Sequence, residues 1–290
     1  MQGLNKVNGL HLFLESLILS ESVVNRQKGV LSMQKPFDVK GIRFGEGRPV
    51  ICVPVVESEK DAVIRKIRAL TEKKVQMIEW RADCFARMDQ PEQVRAVLEE
   101  IRPLVRDTVM LFTIRTKQQG GHAVTDEKDI LYLNQIAAKS GSIDLVDLEF
   151  FEATRPEREI RKLQRMGVRV IASHHDFQAT PDERILHMLM DQMKQGGADI
   201  AKLAVMPRTA DDVLRMLKLT NDTRQRYPGL PVVTMSMGSL GAISRVAGEI
   251  FGSCITFGAD GETSAPGQMQ MDTLAGILDA LHDSFTGRSS

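Results

Sequence analysis

Eight short β-rich runs alternate with longer segments of helical periodicity from residue 50 onward, and this predicts an α/β fold: a single-domain (β/α)8 barrel. Three observations carry the prediction. The alternation itself implies parallel strands joined by crossover helices. Eight strand–helix units in roughly 235 residues is the size of such a barrel. No G-x-G-x-x-G follows the first run, so the rival, a doubly wound dinucleotide-binding sheet, lacks its fingerprint.

Taken in order, residues 1–32 read as an N-terminal extension, with Met33 as a natural start and residues 33–290 as the barrel. The apolar stretch over residues 10–19 is interrupted by Glu15 and Ser16, too short for a bilayer span and too poor in positive charge for a signal peptide. Residues 35–49 hold two β-like runs around Gly41, a hairpin that would plug the barrel bottom. The expected strands cover residues 50–55, 75–81, 109–115, 144–149, 168–173, 200–205, 231–236 and 253–257. Between them, helical stretches are expected at residues 57–73, 90–102, 126–139, 181–195, 209–227 and 240–251, with a last one from Met271 to about His282. Thr180-Pro181 before an acidic turn is a typical helix start.

The chain's 38 basic and 38 acidic residues cancel to a formal charge of zero, so neither nucleic acid nor an anionic membrane meets an attractive field. Any ligand must be recognised locally. Cys52, Cys84 and Cys254 are odd in number, with no Cys-x-x-Cys pair, which suggests neither a disulfide framework nor structural zinc and fits a reducing cytoplasm.

Chemistry in a barrel of this kind gathers at the carboxyl ends of the strands. Those ends are polar here: Glu79-Trp80-Arg81, Thr113-Ile114-Arg115, Asp147-Leu148-Glu149, Ser173-His174-His175-Asp176 and Met235-Ser236-Met237-Gly238. Glu79 and Arg81 leave the same strand face, as a charge pair at the mouth, either beside a ligand or purely structural. Arg115 either binds an anionic or hydroxyl group or braces Glu79.

Lys202 lies between apolar strand residues. It either snorkels at the strand end or is held in a desolvated, positively charged setting that lowers its pKa toward roughly 7 to 8 and frees the amine as a nucleophile. Of His174 and His175 only one can face the mouth, and on the strand next to Lys202 it would be a general acid/base; His122 is a weaker candidate. Arg245, near the start of a helix after Gly238-Ser-Leu-Gly241, either holds a carboxylate together with helix amides or is a surface arginine. Ser264-Ala-Pro-Gly-Gln268 reads as a loop over the mouth.

Together these residues resemble the type I 3-dehydroquinate dehydratases of the shikimate pathway, over about residues 35–284. The resemblance rests on Glu79-Trp80-Arg81-Ala82-Asp83, Thr113-Ile-Arg-Thr-Lys117 with Gly120-Gly121, and Ser173-His-His-Asp-Phe177 with Thr180-Pro181. It continues in Asp199-Ile-Ala-Lys202-Leu-Ala-Val-Met206-Pro207, in Ser236-Met-Gly238 leading to Ser244-Arg245, and in Ser264 to Gln268; each piece is weak, but their order and spacing are specific.

The resemblance implies a cytoplasmic (β/α)8 barrel, usually a homodimer, that converts 3-dehydroquinate to 3-dehydroshikimate with no metal or organic cofactor. It implies Lys202 as the imine-forming lysine, His175 as the proton-transfer group, and Glu79, Arg81, Arg115, Arg245, Ser264 and Gln268 as substrate-binding residues, with Met206 and Met237 in the pocket wall. One departure stands out. Many members carry a glutamate before the paired glycines, where this chain has Gln119; an acid there could orient or charge-tune the histidine, whereas an amide can only orient it, and Asp147 or Glu149 is the alternative source of a carboxylate. The rivals are another Schiff-base barrel such as an aldolase, which would want a phosphate site after strands seven and eight, and a catalytically silent binding barrel.

Overall fold

The structure, a computed structural model, describes residues 37–287; the expectations for residues 1–32 lie outside the described residues. The first described element is the hairpin. Strands β1 (Phe37–Val39) and β2 (Ile42–Phe44) pair antiparallel. Lys40 and Gly41 both take positive φ, 51° and 77°, the two-residue turn whose twist matches the flanking strands.

One face of the hairpin is apolar. Phe37 stacks on Phe44 at 5.4 Å, and Phe44 is fully buried against the amino ends of the barrel strands, in a cluster with Val50, Met77, Val109 and Leu145. Lys40 fastens the turn by donating to the carbonyls of Val105 and Thr108 and to Asp144 Oδ2, at 2.8, 2.9 and 2.7 Å. The expected plug is therefore present at the bottom of the barrel.

Eight parallel strands follow: β3 (Val50–Val55), β4 (Met77–Arg81), β5 (Val109–Thr113), β6 (Leu145–Glu149), β7 (Arg169–Asp176), β8 (Ile200–Val205), β9 (Val232–Ser236) and β10 (Ile255–Ala259). Each pairs with the next from β3 to β9, and β10 pairs with β3. The circle closes between β9 and β10 through a single bridge, Val232 to Ser253, supported by Cys254 N–H donating to the Val232 carbonyl at 2.8 Å and Thr234 N–H donating to Ser253 Oγ at 3.2 Å. A two-residue strand β11 (Met269–Gln270) adds to β10 beyond the ring.

The helices are α1 (Lys60–Glu72), α2 (Pro91–Ile101), α3 (Glu127–Lys139), α4 (Pro156–Gln164), α5 (Glu183–Gln195), α6 (Ala210–Arg226), α7 (Ile243–Val246), α8 (Gly248–Phe251) and α9 (Met271–Thr286). They form the outer layer because strand side chains alternate faces. Val53, Ile78, Met110, Val146, Val170 and Leu203 point outward and pack with helix residues such as Ile67, Leu98, Leu163, Met190 and Met216. Start signals are explicit: the Asp182 side chain accepts the amides of Arg184 and Ile185, and Thr209 forms a reciprocal capping box with Asp212.

Three boundaries differ from the sequence reading. The helix expected over residues 240–251 is two single turns, α7 and α8, ended by Gly252 at φ 111°. Helix α4 is additional, and α5 begins at Glu183 behind the Asp182 cap rather than at Thr180-Pro181. Among the described residues no helix is long and apolar enough to cross a membrane.

Candidate active site

The inward-facing side chains change character on the way up the barrel. At the bottom they are Cys52, Met77, Val109, Leu111, Leu145, Ile171 and Ile200, an apolar layer sealed by the hairpin. One step toward the carboxyl ends they become Glu79, Thr113, Asp147, Ser173 and Lys202, all at most 4% exposed, and Arg81, Arg115, Glu149 and His175 sit above them. Seven expected site residues, Glu79, Arg81, Arg115, His175, Lys202, Ser264 and Gln268, line one cavity of about 60 Å³ at that end. A larger cavity of about 180 Å³ lies between the tops of β5 and β6 and helix α3, lined by Asn134, Leu131 and Leu148, but it holds neither Lys202 nor His175. The chemistry places the site in the smaller one.

Asp147 is the hub. Its Oδ2 accepts from Lys202 Nζ at 3.0 Å, and its Oδ1 accepts from Ser173 Oγ at 2.5 Å and pairs with Arg115 Nη2 at 2.9 Å. Burial would push this carboxyl up, but Arg115, then Lys202 and the Ser173 hydroxyl, outweigh burial and hold it at about 2, so it is ionised at neutral pH. Lys202 Nζ also lies 4.6 Å over the Phe257 ring. Apart from these contacts the lysine is surrounded by wall.

The register explains why histidine and lysine meet. Strands β7 and β8 pair with Ser173 opposite Lys202 and His175 opposite Ala204, so His175 is one inward step above the lysine. His174 points the other way, edge-on to Phe151 at 5.3 Å. Burial, reinforced by Arg115, Lys202, Arg81 and His174, holds the His175 imidazole well below its usual 6.5, so it is a neutral base at neutral pH. Gln119 Oε1 accepts the His175 backbone N–H at 2.8 Å and lies 3.2 Å from Nδ1.

Several expected partnerships are replaced. Glu79 and Arg81 do not pair. Two residues apart on an extended strand they diverge along its axis, and the 3-10 turn after β4 curls Asp83 back so that Arg81 donates to it twice, at 2.8 and 2.7 Å. Glu79 instead accepts the Thr113 hydroxyl at 2.8 Å. Arg115 does not brace Glu79; it donates to Glu149 at 2.9 Å and to Ser173 Oγ at 3.0 Å. Neither Asp147 nor Glu149 serves the histidine, since Asp147 is taken by Lys202, Arg115 and Ser173, and Glu149 by Arg115 and Thr116. Asp83, Ser173, Phe257 and Met235 join the site without having been singled out. The signal for Asp83 was the Arg-x-Asp spacing at the end of a strand.

Arg245 sits in α7, a single turn, so helix amides do not assist it. It is 2% exposed, and Nη2 donates to the Pro266 carbonyl at 2.8 Å. Nη1 lies 3.9 Å from Met235 Sδ, which lines the cavity, and Nε has no partner. Burial alone pushes this guanidinium down to about 10, since no carboxylate answers its charge. The loop between β10 and β11 lies over it. Ser264 and Gln268 bond each other there, and Gly267, at φ 75°, approaches the Gly238 carbonyl so closely that a Cβ would come within 2.2 Å of it. Met237 lines the cavity; Met206 does not, and packs in the same apolar cluster.

Away from the cavity, Glu183, His187 and Asp222 are the His–carboxylate group with metal-ligand spacing among the described residues, but Lys218 donates to both carboxylates, at 2.5 and 2.7 Å. They form an ion-pair cluster on the outer helices α5 and α6.

Fold and cavity define a class: a (β/α)8-barrel enzyme whose mouth holds a buried amine and a neutral imidazole, with the unanswered Arg245 guanidinium outside the cavity lining, behind Met235 and the covering loop. Comparison with known proteins narrows the class. The family model for type I 3-dehydroquinase matches residues 51–284. The 3-dehydroquinate dehydratase of Clostridioides difficile strain 630 is 38% identical over 254 residues, 87% of this chain and all of the relative. That of Listeria monocytogenes serotype 4b strain F2365 is 41% identical, over 85% of this chain and 98% of the relative.

Among solved structures, 3-dehydroquinate dehydratase from Geobacillus kaustophilus superposes with a TM-score of 0.82 at 37% identity, covering 86% of this chain and 98% of that one. The type I enzyme from Clostridium difficile, crystallised with covalent modified comenic acid, gives 0.83 at 38% identity over 87% and 99%. This chain belongs to the type I 3-dehydroquinase family, and it is a lyase of that family.

Proposed function

We propose that the chain dehydrates 3-dehydroquinate to 3-dehydroshikimate through an imine on Lys202, with His175 as the general acid/base. The carrying observation is a buried amine, 4% exposed, in one cavity with a neutral imidazole and 3.0 Å from a carboxylate held at about 2. Lys202, freed of one proton, adds to the ring ketone, and water leaves to give a protonated imine. That imine carries the same positive charge as the ammonium it replaces, so Asp147 pairs with the site before and after capture.

The protonated imine acidifies the neighbouring C–H. Neutral His175 takes that proton, and the electron pair moves toward the imine nitrogen to form an enamine. The enamine pair then expels the hydroxyl on the next carbon, His175 returns its proton to it, and the departing group leaves as water. Hydrolysis of the conjugated imine releases product and restores Lys202. Arg245, without an anionic partner, suits the substrate carboxylate, a charge-assisted contact worth roughly 1.5 to 3 kcal/mol. Glu79, Arg81, Arg115, Ser264 and Gln268 surround the ring hydroxyls.

Ser264, Ala265 and Gln268 of the loop line this cavity, so a shift of that loop widens the entrance for a six-membered ring. On this reading the chain serves the shikimate pathway as a cytoplasmic homodimer with no cofactor.

Borohydride added with 3-dehydroquinate should reduce the imine to a stable amine, found by mass spectrometry on the peptide carrying Lys202. A protein that turns over substrate and carries no adduct, or carries it on another lysine, overturns the reading.

A further inference from the structure

Gln119 closes a 3-10 turn (Lys117–Gln119) and is 2% exposed. Its partners fix which way its amide points. Oε1 faces the His175 backbone N–H, which can only donate, and Nε2 donates to the carboxylate oxygen Glu152 Oε1 at 3.2 Å. With Oε1 turned toward it at 3.2 Å, His175 Nδ1 can form a hydrogen bond only as an N–H. A neutral imidazole carries one such proton, so the lone pair is left on Nε2.

Glu152 is held where it can do this. Its amide donates to the Glu149 carbonyl at 3.3 Å at the end of β6, and two residues on, Thr154 donates through N–H and Oγ1 to Glu127 at 2.6 Å on each contact, pinning the loop to the first turn of α3.

We propose that Glu152 is a positioning residue: by accepting the Gln119 amide hydrogen it fixes that amide, holds His175 as the Nδ1–H tautomer and leaves Nε2 free as the base. The inference rests on the reading of His175 as the acid/base. Without Glu152 the Gln119 amide keeps one anchor, the His175 backbone, and turning over would set an NH2 group against Nδ1 and move the lone pair to the wrong nitrogen. What is required of residue 152 is an acceptor, and a charge is not needed.

The test uses the full-length protein labelled with 15N-histidine, the His175 resonances being assigned by their loss in His175→Ala. Wild type should show the Nδ1–H form at neutral pH. Glu152→Ala should show a substantial Nε2–H fraction and a kcat roughly five- to tenfold lower, equivalent to about 1 to 1.4 kcal/mol, with KM for 3-dehydroquinate within about twofold. Glu152→Gln, whose carbonyl also accepts, should restore both. Wild-type tautomer and kcat in Glu152→Ala, or Glu152→Gln as impaired as Glu152→Ala, overturns the proposal. Borohydride trapping separates the two levels: an adduct on Lys202 in both wild type and Glu152→Ala with an unmoved tautomer refutes the role of Glu152 alone, whereas no adduct in wild type refutes the imine reading beneath it.

Discussion

Replacing Arg245 by methionine should make the protein more stable and a worse enzyme. Burial holds the guanidinium well below its usual value, down to about 10, and no carboxylate offsets it. At about 1.4 kcal/mol per pKa unit, keeping this group charged in the fold costs about 3 kcal/mol relative to the unfolded chain. A cation whose folded pKa lies below its unfolded value destabilises at every pH below both, so the penalty is present throughout the working range. Methionine fills the volume without the charge.

The substitution gives up one hydrogen bond, to the Pro266 carbonyl, worth about 1 to 1.5 kcal/mol. That carbonyl still accepts Gly238 N–H at 3.2 Å, so it is not orphaned. The net gain is about 1 to 2 kcal/mol, or a rise in Tm of about 2 to 6 °C for a chain of this size. Losing a charge-assisted contact of roughly 1.5 to 3 kcal/mol should raise KM for 3-dehydroquinate about 10- to 150-fold. Thermal unfolding and steady-state kinetics on the same preparation read both. A variant that melts lower, with KM within threefold of wild type, would refute the reading of Arg245 as a charge kept unanswered for a carboxylate.

Two further outcomes follow from the same geometry. With His175 held well below 6.5 by burial and by Arg115, Lys202 and Arg81, kcat should stay flat as pH falls from 7.5 to 6.5 and fall only below that; Gln119→Glu, which puts a carboxylate beside Nδ1, should move the acid limb upward, and a wild-type limb at or above 6.5 contradicts the assignment. Stability follows the same sign: an imidazole kept neutral in the fold contributes stability that is full above the unfolded value and is lost as pH drops through the folded one. Gly267→Ala combines a positive φ with a Cβ at 2.2 Å from the Gly238 carbonyl, so the loop over the mouth must lift. KM should rise about tenfold with little change in Tm, because the barrel does not depend on that loop; an unchanged KM would show that the loop does not contact substrate.

The eight strands were legible because each is a short apolar run with β-branched residues bounded by turns, and the hairpin because Lys40-Gly41 sits between two alternating runs. Helix α4 was not, since in PEREIRKLQ the buried residues are Ile160 and Leu163, too few for an apolar stripe to stand out. The split of α7 from α8 was hidden because the apolar pattern runs through a break that only the backbone reveals. In the site, the residue types and their inward faces were readable from strand periodicity. The pairing was not, because Asp147 gathers Lys202 and Ser173 from two other strands and Arg115 from just past the end of β5, and only the register brings them together. Glu152 gave no signal, as an exposed glutamate in a loop resembles any other.

The closure of the ring has a consequence for how the enzyme admits its ligand. Seven strand pairs are laced by main-chain ladders; the eighth, β9 to β10, hangs on one bridge and a serine hydroxyl. A cylinder parts first along its thinnest weld. Here that weld lies below α7, where the Arg245 carbonyl accepts the Thr256 hydroxyl at 2.8 Å, while Lys202 and His175 stand on β8 and β7, which are joined to each other by a continuous ladder. The loop over the mouth is thus tied through Arg245 to the thinly bonded edge of the ring, and the spacing of His175 and Lys202 is fixed by main-chain bonds that a movement there leaves intact.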